Sequence, residues 1–140
     1  LLVEKGFIIL FNDDTYGFSS TLLRKMVYDL IPQSDTYVLH NQIAKVIEDT
    51  YTLTTSDDIF SLAYHYSLCD PKDQSCLRLA FNAACECIIK CRDMGDYGMT
   101  MTYVDLAETK CSRYHDYYYL TELLKTVIKS ASESKSGRSI

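Results

Sequence analysis

The chain has 140 residues, a net charge of −5, 47% hydrophobic side chains and six cysteines. That apolar content suffices for a packed core and is too high for intrinsic disorder, while the acidic balance argues against a nucleic-acid or polybasic membrane surface. No apolar run reaches the ~20 residues of a membrane span, and Leu1–Leu10, interrupted by Glu4 and Lys5, does not read as a signal peptide.

In chain order, Leu1–Lys5 reads as the last turn of a helix capped by Gly6, and the opening inside an apolar run suggests a fragment of a larger protein. Gly6–Phe11 and Tyr16–Ser19 read as two strands of a hairpin around the turn residues Asn12–Thr15, with Tyr16 and Phe18 alternating along the second. An isolated hairpin is marginal in water, so it must lie on something else. Ser19 or Ser20 caps a helix over Thr21–Ile31, whose Leu23, Met26, Val27, Leu30 and Ile31 form an apolar stripe. Pro32 breaks that helix, and Ser34 caps a second one lined by Leu39, Ile43, Val46 and Ile47.

Beyond a polar connector over Tyr51–Ser56, Ser56 caps a helix with Ile59, Leu62, Ala63 and Tyr66 inside. Asp70-Pro71 signals a restart, followed by the longest periodic run, carrying Leu77, Ala80, Phe81, Ala84, Ile88 and Cys91 and ended by Gly95. Tyr97–Cys111 presents Tyr97, Met101, Val104, Ala107 and Cys111, and a last helix near Asp116–Ser132 presents Leu120, Leu124, Val127, Ile128 and Ala131. The Ser-rich end, residues 133–140 in particular, reads as a flexible tail. The fold class is therefore mainly α: a small hairpin followed by about six helices, those from Asp57 onward pairing as antiparallel hairpins because their links are short.

The run Tyr16-Gly-Phe18-Ser-Ser-Thr-Leu22-Leu23-Arg24, with Val27-Tyr28-Asp29-Leu-Ile-Pro32, Ser34 and Leu39-His40-Asn-Gln-Ile43-Ala44, resembles the end of the winged-helix module in multidomain signal-transduction ATPases. Leu62-Ala63-Tyr64-His65-Tyr66, Ala80 to Ala84, Gly95-Asp96-Tyr97 and Ala107 are similar to positions of tetratricopeptide-like repeats. The arrangement is most like that of soluble (type 10) adenylyl cyclases and their relatives, and spans about Leu1–Cys111. The chain departs from that pattern at Ser20, where His is frequent, and in having no Trp. The resemblance implies a winged-helix remnant over 1–51, helical repeats over 57–132, and a cytoplasmic parent that uses ATP and magnesium upstream, with adenylate cyclase, a phosphorus–oxygen lyase, as its possible activity. It implies proteins or neighbouring domains of the same chain as partners.

For the chain itself no enzymatic activity is expected, and no catalytic, cofactor or metal residues. No phosphate-binding loop is present. Asp13-Asp14 and Asp57-Asp58 sit at turn or cap positions, where solvated turn chemistry outweighs metal binding. Cys87 and Cys91 share a helix face but lack the spacing of a zinc site, and the cysteines read as reduced, buried thiols. His40 and His65, beside apolar stripes, read as buried, hydrogen-bonded histidines, and His115 as exposed. A wing that grips DNA is basic, whereas Leu1–Thr50 carries Lys5, Arg24, Lys25 and Lys45 against Glu4, Asp13, Asp14, Asp29, Asp35, Glu48 and Asp49. The candidates for junction or interface contacts are Tyr16, Phe18, Arg24, Tyr28, Asp29, His40 and His65, together with the aromatic run Tyr117, Tyr118 and Tyr119. The alternative function is a stand-alone tetratricopeptide-like interaction module.

Overall fold

A computed structural model describes residues 1–50 and 55–137. Two strands, β1 (Ile8–Leu10) and β2 (Tyr16–Phe18), are followed by six helices: α1 (Thr21–Asp29), α2 (Gln33–Thr50), α3 (Ser56–Ser67), α4 (Gln74–Asp93), α5 (Tyr97–Lys110) and α6 (Tyr114–Ser136). The mainly helical class with an N-terminal hairpin is thus the observed one. Contacts divide the chain into two units, Leu1–Thr36 and Tyr37–Ile140. The division falls inside α2.

In the first unit β1 and β2 pair antiparallel, with Ile8 opposite Phe18 and Leu10 opposite Tyr16. Asp13 accepts from the Thr15 backbone and hydroxyl at 3.2 and 2.6 Å, and Asp14 takes a positive φ of 60°, so this Asp pair is turn chemistry. Leu1–Lys5 forms a hydrogen-bonded turn rather than a helix end of any length, and Gly6 leaves it at φ 74°. The Ser20 hydroxyl accepts from Leu23 N at 3.0 Å and starts α1. The apolar stripe on α1 is exposed: the helix has no buried residue, and Met26, Val27 and the capping Leu30 are exposed.

The second unit is built around α4. Small side chains let its neighbours approach closely on two sides. On one, Cys76, Ala80, Ala83 and Cys87 pack with Ala44 and Ile47 of α2 and with Leu62, Ala63 and Tyr66 of α3. On the other, Phe81, Ala84, Cys85 and Ile88 pack with Val104 and Ala107 of α5 and with Leu120, Leu123 and Val127 of α6. The stripe read from the sequence found mainly the second side. Tyr103 bridges both clusters and stacks on Phe60 at 5.5 Å between ring centres.

Several local expectations shift by a residue or a helix face. Asp73, not Asp70, caps α4, because its carboxylate reaches Ser75 N and Cys76 N, whereas Asp70 closes a turn with Lys72 N. Thr55 rather than Ser56 caps α3, accepting from Asp58 N at 3.2 Å. Ser34 lies inside α2, whose first turn is satisfied by the Pro32 carbonyl. The buried side of α2 is Thr36, His40, Ala44 and Ile47, so Leu39, Ile43 and Val46 are exposed. On α5 Thr100 is buried and Met101 exposed, and on α6 Leu123 is buried and Ile128 exposed. Helix α6 continues to Ser136, into the segment read as a tail. The connector residues 51–54 and the chain end 138–140 lie outside the described residues.

Candidate interaction groove

Two helix stripes and one glutamate of a third helix meet beside the first core of the helical unit. Ile59, Leu62 and Tyr66 recur at i, i+3 and i+7 on α3, and Leu79, Asn82, Ala83 and Glu86 recur at i, i+3, i+4 and i+7 on α4. With Glu48 of α2 they line a groove of about 330 Å³. Its floor is apolar. Buried Tyr66 donates its phenol proton to Glu48 Oε2 at 2.6 Å, which holds that carboxylate in place. Burial, reinforced by the Glu48 carboxylate, pushes the Tyr66 phenol well above its ordinary value, so it remains a proton donor throughout the neutral range. Glu86 is exposed on the opposite helix, and among the described residues neither glutamate forms an ion pair.

A second polar element lies between α2 and α3. His40 and His65 approach Nδ1 to Nδ1 at 2.8 Å, with the Tyr64 ring roughly perpendicular to both. One neutral ring must donate its Nδ1 proton to the other. Two imidazolium rings would instead aim two N–H groups at one another. Burial lowers both histidines below 6.5, and His40 adds to the lowering of His65. His40 is buried and His65 half-buried, and each is hydrogen-bonded to the other, so the expected hydrogen bonding is present and full burial holds for His40 alone.

Tyr16 is 67% exposed and Phe18 41%. Arg24 is exposed on α1, as is Tyr28, and Asp29 is paired with Lys25 at 2.8 Å. Tyr117, Tyr118 and Tyr119 are exposed on α6, with Tyr119 meeting the Phe81 ring edge-on. His115 is exposed, and next to it Asp116 is buried, accepting from the Ser112 hydroxyl at 3.4 Å.

All six cysteines are free. Burial raises every thiol, with Cys76, Cys85 and Cys87 pushed up to about 12 and Cys111 to about 11, which keeps them protonated and unreactive. Among the described residues no three His, Cys, Asp or Glu side chains converge as a metal site, and no helix is long and apolar enough to cross a membrane.

Sequence reasoning singled out neither Glu48, Asn82 nor Glu86. The available signal was the row Leu79, Asn82, Ala83 and Glu86, a mixed stripe lying beside the two buried faces of α4.

No family model, no curated protein and no solved structure matches the chain.

Proposed function

We propose that this chain is a non-catalytic regulatory and scaffold segment of a larger cytoplasmic signalling ATPase, most like a soluble adenylyl cyclase. In this reading the hairpin and α1 face a nucleotide-binding module that supplies ATP and magnesium chemistry, and the helical unit beyond them offers surfaces to proteins or to other parts of the same protein. The observation that carries the reading is the contrast in apolar exposure. Phe7, Leu10, Phe11, Tyr16, Leu22, Met26 and Leu30 are all exposed within one small unit, a density that marks interaction surface. The first part of the run that resembles the winged-helix junction, Tyr16–Pro32, lies in this same unit, and its last part, Leu39–Ala44, lies in the helical one.

The mechanism is conformational: the nucleotide state of the neighbouring module repacks the hairpin and α1, and the helices transmit the change. Removing Leu1–Thr36 from the full-length protein, which spares the core residues of α2, is expected to abolish ATP-dependent regulation while the helical unit stays folded. Unchanged regulation would refute the reading. A second reading, a self-contained tetratricopeptide-like interaction module, is favoured by the separate core of Tyr37–Ile140. It requires partner binding by that unit alone.

A further inference from the structure

We infer that the groove between α2, α3 and α4 binds a basic side chain, lysine or arginine, presented by a protein partner. The inference rests on the interaction reading of the helical unit and is independent of an ATPase neighbour. Three features of the groove carry it. Its volume of about 330 Å³ lies at the small end of ligand pockets, which run from ~300 to 1,000 Å³, and suits one inserted side chain better than a large cofactor. Its walls from Ile59, Leu62, Leu79 and Ala83 match the methylene stem that lysine and arginine lay along apolar surface. Its charged lining is acidic only, from Glu48 and Glu86.

Glu48 is already oriented by the Tyr66 phenol, which occupies Oε2. Oε1 and the whole Glu86 carboxylate remain to receive an ammonium or guanidinium group. A carboxylate that is positioned before binding loses less freedom when the cation arrives. Asn82, between Leu79 and Glu86 on the same face, adds an amide that can accept from the same head group. Both carboxylates are exposed, so they repel an acidic side chain and offer a neutral one no charge to pair with, whereas a cation meets two acceptors at the rim.

The test is fluorescence polarisation with the intact chain and a labelled, end-capped peptide of alternating leucine and lysine. Replacing both carboxylates by E48Q and E86Q keeps the side-chain shape and an acceptor for Tyr66, and is expected to weaken binding by about tenfold, the loss of one charge-assisted hydrogen bond or more. A control pair, E108Q with E133Q, removes the same charge from exposed helix positions outside the groove and is expected to leave binding nearly unchanged. If the double groove variant fails to fold, E86Q alone, at an exposed position, is expected to weaken binding about threefold. Equal losses in groove and control variants, unchanged affinity in the groove variants, or no binding of the peptide at millimolar concentration would each overturn the inference. None of these results bears on regulation of the full-length protein, so the two readings fail separately.

Discussion

The two units of this chain use similar proportions of apolar sequence to different ends. In Tyr37–Ile140 the apolar residues surround α4, and Ala44, Ala63, Ala84, Cys87, Ile88 and Ala107 are fully buried. In Leu1–Thr36 the strands and α1 are as rich in Leu, Ile, Phe and Tyr, yet α1 buries none of its residues and Leu30 is 83% exposed. Amphipathic periodicity is common to both. What differs is whether another stripe of the described chain covers it, and α4 succeeds because its small Ala and Cys side chains admit neighbours from two sides. Periodicity shows which face wants burial; it does not show what does the burying.

The sharpest way to test that contrast is to truncate comparable side chains in each unit. Ile88→Ala, at a fully buried site, is expected to cost ~2–5 kcal/mol in urea unfolding, whereas Leu22→Ala, at a site 68% exposed, is expected to stay within ~0.5 kcal/mol. Comparable losses would mean that α1 is covered after all.

The histidine pair gives a pH signature confined to the helical unit. Both rings titrate below 6.5 in the folded chain, so the unfolded chain takes up protons first as the pH falls. Their contribution is complete above pH 6.5 and is lost as the pH drops below it toward the folded values, at no more than ~1.4 kcal/mol per pH unit for each ring. Thermal melts between pH 7 and 5 are expected to show this decline, above the range where carboxylates such as Asp73 titrate. His65→Gln is expected to flatten it, and a slope equal to that of the parent chain would show that the pair is not its source.

A smaller effect is expected at the α4–α5 link. Gly95 holds φ at 74°, the left-handed region that an L side chain enters only with strain, although nothing crowds the place of a Cβ. Gly95→Ala is expected to lower stability by ~1 kcal/mol, read as a fall in melting temperature. An unchanged melt would mean that the link adopts another conformation.

Much of the fold was legible because its local signals are strong. The hairpin follows from β-branched runs around Asn12–Thr15, and the break at Pro32 and the stop at Gly95 follow from backbone chemistry. Which face of a helix points inward was harder to read wherever polar residues occupy the interior. On α2 the buried row is Thr36, His40, Ala44 and Ile47, so scoring by hydrophobicity alone found Ile47 but also selected Leu39, Ile43 and Val46, which are exposed. The choice of cap at Asp73 over Asp70 depends on which carboxylate reaches two backbone N–H groups, a geometric outcome that both aspartates advertise equally. The groove was illegible for another reason: Glu48, Tyr66 and Glu86 come from three helices, and no spacing within one helix brings them together.

Amide hydrogen exchange across the whole chain tests the contrast between the units most directly. Buried helices exchange only by large openings, while segments with few buried contacts open locally at little cost. Amides in the middle of α4, around Ala84 and Ile88, are expected to show protection close to the global stability, and those of β1, β2 and α1 to exchange orders of magnitude faster. Equal protection in α1 and α4 of the isolated chain would contradict the division between a self-packed helical unit and an N-terminal unit whose apolar side chains are exposed.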